Sequence, residues 1–346
     1  MIRLAHADAT ALIDPSVGNI PSWQVGARRP LHAAPWRDDP EVQGDESLPL
    51  VNRRLAGDVF CLPFGKDDVA GDPPHGLTAN SEWDVLDQDV AHATLRLKAR
   101  PRGTKITKRV QLVESALLQT HVVEGGAGEV TLAHHPMSRM AEGGRLSFSP
   151  KRAALTDPVA QYPGHNLWSL NQLRGDLHLD CEDGSQWDLH HYPARHRVED
   201  FTILVEARGA KLGWTALIRQ AEDDMLIVIK EARVLPVTML WISNGGRDFA
   251  PWNGRHTGVI GIEDGIANGT MGLRAAMAEN RLTALGVPTT VSLGPRHVIR
   301  HAMLSLPRPP GWVEIAALSI TRGTLTLTER SGARVDIPFM EGFFPS

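Results

Sequence analysis

Residues Leu240–Gly265 read LWISNGGRDFAPWNGRHTGVIGIEDG, two apolar strand-like runs joined by a connection rich in Gly and Pro. Near the end of the second run Glu263 sits among Val259, Ile260 and Ile262, in a strand that otherwise has no use for a charge. Burying an ionised carboxylate is costly unless something pairs with it. Glu263 is therefore either satisfied by a structural partner such as Arg247 or Arg255, or held at a tuned pKa for proton transfer. The chain offers other partners too, and they are histidines.

Outward from this stretch the strand pattern continues. Ala91–Ala99 (AHATLRLKA) alternates apolar and polar, with Ala91, Ala93, Leu95, Leu97 and Ala99 on one face. Further strands are expected at Lys105–Val113, Leu117–Val123, Phe201–Ala207, Leu226–Ile229, Val237–Ser243, Thr289–Leu293 and Arg296–Leu304. A closing hairpin is expected from Gly323–Thr328 and Ala333–Ile337 around Glu329–Gly332. One short helix is expected, Met271–Asn280. The 32 Gly and 24 Pro are spread along the whole chain, which punctuates many short strands and turns. Antiparallel segments with one apolar face pack as a sandwich. The expected fold is all-β, a large antiparallel β-sandwich, with no composition shift to divide residues 1–346 into more than one domain.

Composition excludes several classes. A net charge of −4, with no basic run, argues against nucleic acid as a partner. Cys61 and Cys181 are the only thiols, so neither a disulfide framework nor a thiolate zinc site is supported. No apolar run reaches the roughly 18 residues of a membrane span. The N-terminus MIRLAHADATALIDP has no basic or apolar leader regions, so a cytoplasmic protein is expected. No G-x-G-x-x-G follows a strand and no P-loop is present, which argues against nucleotide cofactors. Nine Trp and 15 His against two Tyr favour rings that stack on sugar faces and bond sugar hydroxyls.

Three histidine-bearing segments stand out. His75, in PPHGLTANSEW (Pro73–Trp83), lies on a stiff turn, and is either a surface histidine or part of a site. His134 and His135, in TLAHHPMSRM (Thr131–Met140), end a strand and point to opposite faces, so one of them faces a given cleft. Neither H-x-H nor H-E-x-x-H spacing is present, and no metal is expected. The stretch HHYPARH (His190–His196) reads as a solvated loop. Arg53 and Arg54 precede DVFCLPFG (Asp58–Gly65) and either bond a sugar or phosphate oxygen or cap a solvated strand end. Trp83, Trp168, Trp241 and Trp252 are candidate stacking faces or core rings.

Taken in order, these segments resemble the aldose 1-epimerase (galactose mutarotase-like) superfamily. The resemblance runs from ALIDPSVGNIPSW (Ala11–Trp23) through the PFG turn, His75–Gly76, His134–Pro136 and LPVTMLWISNGG (Leu235–Gly246) to Gly261–Glu263. His75, His135 and Glu263 are separated by about 60 and about 130 residues, and the order and spacing together carry the match. The resemblance implies a twisted β-supersandwich with the site in the concave face of one sheet. It also implies cofactor-free interconversion of sugar anomers, or of hexose 6-phosphate anomers in one branch. Carried over, Glu263 falls on the general base and His135, directly before the proline, on the general acid. His75 falls on a substrate-orienting histidine and one of Arg53 or Arg54 on the binding arginine. His134, Asp248, Trp241 and Trp252 complete the expected binding set, with Asp248 standing where the family's binding aspartate has no clear counterpart. The sequence departs from the pattern after both catalytic positions, with Met137-Ser138-Arg139 after His135-Pro136 and Asp264 after Glu263, which leaves the sugar open.

The expected partner is a small-molecule carbohydrate, with a homodimer left open. The rival readings are a hexose-6-phosphate 1-epimerase, which needs two or more arginines from Arg53, Arg54, Arg139 and Arg247 in the cleft, and a non-catalytic carbohydrate-binding protein. A lyase on a related sandwich ranks behind both, because no long helical domain accompanies the strands.

Overall fold

The computed structural model describes residues 1–193 and 195–345. Two eight-stranded antiparallel sheets face each other. The first, the cleft sheet, runs Leu173–Arg174, Lys151–Thr156, Val198–Glu206, Val237–Asn244, Val259–Ile266, Leu132–His134, Phe60–Cys61, with Met137–Arg139 also paired to Val259–Ile266. The second, the back sheet, runs Gly144–Phe148, Leu212–Arg219, Asp224–Glu231, Val291–Pro307, Ala116–Val130, Thr104–Val113, His92–Leu97, Trp83–Gln88.

Between the sheets lies one core, to which Leu204, Leu240, Ile260 and Ile262 contribute from one side and Leu117, Leu226, Val228 and Met303 from the other. Fully burying such a side chain contributes about 1.5–3 kcal/mol. The outer face of each sheet is also covered. On the cleft sheet, Ile203, Met239, Trp241 and Val259 pack beneath connecting segments that carry Trp36, Leu55, Phe64 and Leu282. On the back sheet, Trp214, Ile227, Ile229 and Leu304 pack beneath the C-terminal three-stranded sheet and Phe339. Burial on both faces explains why the central strands read as nearly unbroken apolar runs instead of alternating ones.

The expected strands are present, and three differences have local causes. Thr289–Leu293 and Arg296–Leu304 are one strand, Val291–Pro307, because the register shifts at Gly294 absorb the break. The expected helix Met271–Asn280 is shorter, Leu273–Met277. Asn280 ends that segment by capping a separate turn, Arg281–Ala284, where it accepts from the Leu282 and Thr283 amides. The strand Leu212–Arg219 was not expected, since LGWTALIR carries no clear alternation.

Candidate functional site

Antiparallel pairing of Val237–Asn244 with Val259–Ile266 sets Met239 opposite Glu263, and Trp241 opposite Gly261. With a side-chain period of two, Gly261 and Glu263 face outward, while Ile260, Ile262 and Asp264 face the back sheet. His135 follows the short strand Leu132–His134, and the Pro136 carbonyl accepts the Ile262 amide at 2.8 Å. That bond holds the histidine beside the strand that carries the carboxylate.

His135 Nε2 lies 2.9 Å from Glu263 Oε1. Neither His135 Nδ1 nor Glu263 Oε2 has a hydrogen-bond partner among the described residues. Burial lowers the His135 pKa, but the Glu263 carboxylate more than offsets this and raises it above the ordinary value. The backbone N–H of His135 donates to Asp58 Oδ1 at 2.9 Å, fixing the segment from behind. His75 packs edge-on against both His135 and Phe64, each with ring centroids 5.4 Å apart. Burial and the neighbouring cationic groups lower its pKa to about 3, so it stays neutral and serves as a hydrogen-bonding ring. Its φ of 64° and that of Gly76, 73°, make the tight turn, and a Cβ on Gly76 would lie 1.9 Å from the Leu62 carbonyl oxygen.

Over the pair opens a cleft of about 210 Å³, with walls that include Phe64, Phe201, Trp241, Trp252, Arg247 and Gln161. Gly261 lies beside the pair, beneath the cleft-lining side chains. A Cβ there would stand 3.1 Å from Glu263 Oε1, 3.2 Å from Trp241 Cε3 and 3.3 Å from His135 Cε1.

The cleft thus gathers Glu263, His135, His75, Trp241 and Trp252 from the residues expected by sequence. The other expected residues lie elsewhere. His134 points between the sheets, where its Nδ1 meets Asp58 Oδ2 at 3.1 Å and its ring stacks on His301 at 4.1 Å, so it has no access to the cleft. Arg53 Nη1 donates to the Gln43 carbonyl at 2.8 Å, and Arg54 Nη1 pairs with Asp14 at 2.9 Å. These two side chains leave the cleft wall to their neighbours Val51, Asn52 and Leu55. Asp248 accepts the Tyr162 hydroxyl at 2.6 Å and its side chain is 56% exposed, outside the cleft. The arginine partners considered for Glu263 are occupied as well, Arg247 by Glu199 and Arg255 by the Pro251 carbonyl. Trp83 and Trp168 are core rings. His190 and His191 both lean on Asp188, as a solvated stretch would, and Ala194 within that stretch lies outside the described residues.

Sequence reasoning had Arg247 among its cleft arginines but missed Glu199, the partner that holds it. Arg247 Nε meets Glu199 Oε1 at 2.8 Å, and its guanidinium lies 4.4 Å from the Trp252 ring centroid and 5.2 Å from that of Trp241. The other side of Trp241 stacks on His256 at 5.4 Å. Arg247 and His256 thus pack against Trp241, and Arg247 lies over Trp252. A readable signal existed: Glu199 is a carboxylate in an apolar strand, as Glu263 is, and Gly245-Gly246 precede the arginine. A Cβ on Gly246 would come within 2.7 Å of the Glu199 Cβ, and this close approach brings Arg247 to its partner.

Asp58, His134 and His301 lie close enough together to suggest a metal. The two rings are parallel, 7° apart at 4.1 Å, so their in-plane lone pairs run side by side and do not converge on one ion. The cluster is instead a chain of pairs. Asp58 accepts from His134 and Gln119, and His301 Nε2 meets Asp264 Oδ2 at 3.1 Å. Asp264 Oδ1 meets Lys230 at 3.0 Å and accepts the Thr238 hydroxyl at 2.7 Å. Burial favours neutral carboxyls, but these partners hold both Asp58 and Asp264 far below the usual range.

No protein-family model and no curated sequence matches the chain. Solved structures do. A candidate aldose 1-epimerase from Escherichia coli K12 is 12% identical, with 88% of this chain and 97% of that one covered at a TM-score of 0.62. A galactose mutarotase-like protein from Lactobacillus casei ATCC 334 is 13% identical, with 88% and 99% covered and a TM-score of 0.56. A galactose 1-epimerase from Lactobacillus acidophilus NCFM is 14% identical, with 87% and 92% covered and a TM-score of 0.52. At such identities the likeness concerns architecture, and in architecture it is plain: the chain has the galactose mutarotase-like β-sandwich fold.

Proposed function

We propose that the protein is an aldose 1-epimerase-like isomerase that interconverts the α and β anomers of a sugar. The observation that carries this reading is the His135–Glu263 pair, 2.9 Å apart on the floor of a cleft of about 210 Å³. Mutarotation needs a proton taken from the anomeric hydroxyl and another delivered to the ring oxygen. Glu263 takes the first and the His135 imidazolium gives the second. The C1–O5 bond breaks, the ring opens to the aldehyde, and rotation about C1–C2 presents the other carbonyl face. Closure reverses both transfers and returns both groups to their starting charge. Each general acid–base contribution is worth roughly 10²–10⁴-fold. The Glu263 carboxylate raises the His135 pKa, which favours the protonated ring that begins the cycle.

The hexose 6-phosphate reading loses support from the placement of the arginines. Arg53 and Arg54 bond elsewhere, and Arg139 pairs along Val259 on an exposed strand away from the cleft. The binding-protein reading differs in one respect, that it needs no acid–base pair.

The test is anomer exchange by NMR over a panel of free aldoses and hexose 6-phosphates at catalytic protein concentration. Accelerated exchange of a free aldose is expected. A protein that binds sugars but accelerates none of them is a binder, and Glu263 then has no proton-transfer role.

A further inference from the structure

Arg247 is fixed before any ligand arrives. Its Nε meets Glu199, its Nη2 donates to Gln161 Oε1 at 2.9 Å, and its plane lies against Trp252. Glu199 is itself fully buried, accepting the Trp241 indole N–H at 2.6 Å and the Ser243 hydroxyl at 3.0 Å. A charged side chain clamped on three sides at the wall of a cleft has little freedom left to lose when it binds something. Among the described residues, Nη1 is the guanidinium nitrogen without a polar partner.

We propose that Arg247 is a substrate-gripping residue, donating from Nη1 to a ring hydroxyl of an uncharged sugar, with Glu199 as its positioning residue. The proposal deepens the epimerase reading, since it rests on a sugar standing over the Glu263–His135 pair. Two features select an uncharged partner. Phosphates and carboxylates take an arginine by a two-pronged contact, and here Nε and Nη2 each already meet a protein oxygen, so neither edge of the fork offers two unengaged nitrogens. The charge is also already matched by a carboxylate at 2.8 Å. Lys66 stands at the cleft rim, but it is exposed, and an ammonium in water attracts an anion only weakly through screened contacts. The Trp241 and Trp252 rings, nearly perpendicular to each other, contribute by confining the guanidinium between them.

The experiment measures binding and exchange separately on the purified full chain, using galactose, glucose and their 6-phosphates in NMR titrations. Because Arg247→Ala strands a buried carboxylate and endangers the fold, the main variant is Arg247→Met with Glu199→Gln, which removes both charges and keeps the volume. Its affinity for the free sugars should fall roughly 10–100-fold, the worth of a hydrogen bond to a charged group. Arg247→Lys should fail to restore it, because the planar fork is gone. Glu199→Gln alone uncovers the charge and should shift preference toward the 6-phosphates. Unchanged affinity in the double variant overturns the proposal, as does full rescue by lysine or a wild-type preference for the 6-phosphates. Binding that depends on Arg247 without any exchange upholds the proposal and defeats the epimerase reading. Exchange whose KM ignores Arg247 does the reverse, and no sugar binding at all defeats both.

Discussion

Glu263 and Asp264 are chain neighbours with opposite lives. Glu263 faces the cleft with one histidine partner at 2.9 Å and one oxygen without a hydrogen bond. Asp264 faces the interior, with Lys230, His301 and Thr238 all within 3.1 Å. His135 and His134 repeat the contrast one strand over, because adjacent strand residues point to opposite faces. Residue type therefore decides nothing here. A carboxylate whose bonding positions are filled holds structure together, while one left with unused capacity beside an open volume is equipped to move a proton.

The sharpest way to break that contrast is to remove each charge in turn. Glu263→Gln should lower anomer exchange by about 10²–10⁴-fold and retain sugar binding, with the urea midpoint falling only by what the His135 pairing contributes. A variant that keeps exchanging anomers at the wild-type rate would remove the contrast. Asp264→Asn should do the opposite. It should cost about 3–5 kcal/mol of stability, because Lys230 loses a buried partner, and the molecules that stay folded should keep their exchange rate. Urea unfolding alongside exchange per folded molecule reads both.

Acidity separates the histidines. The pKa of His135 is raised from 6.5, so its contribution to stability is complete below 6.5 and fades as pH rises through the raised value. Exchange should decline over the same alkaline limb as the acid loses its proton. His134 is lowered to about 4, chiefly by burial and the nearby His301. The unfolded chain takes up its proton near 6.5 and the folded one does not, so stability should fall as pH drops from 6.5 towards 4. A stability profile with one limb only, or exchange without the alkaline decline, would contradict this pairing. The smallest effect belongs to Arg53→Ala, which removes a carbonyl contact at 2.8 Å away from the cleft. Exchange should be unaltered and stability should change by less than about 1 kcal/mol; a raised KM would return Arg53 to the site.

The strand at His92–Leu97 was readable because one face is wet and the apolar alternation survives. In Val198–Glu206 both faces are covered, alternation vanishes, and an expectation that began at Phe201 lost Glu199 with it. The meeting of Glu263 with a histidine was legible because a lone carboxylate in an apolar strand is anomalous on its own. Arg54 was not, because nothing local says that a guanidinium will turn to Asp14, 40 residues earlier. Long-range pairing of charged side chains is a property of the folded surface, and a reading along the chain has no access to it.

The bare backbone at Gly261 has one further consequence. Its φ is not in the left-handed region, so alanine suits the main chain, yet that methyl would press on Glu263, Trp241 and His135 together at 3.1–3.3 Å. Each of those three side chains would have to give by a few tenths of an ångström, so the spacing of the pair rests on a position that offers no functional group at all.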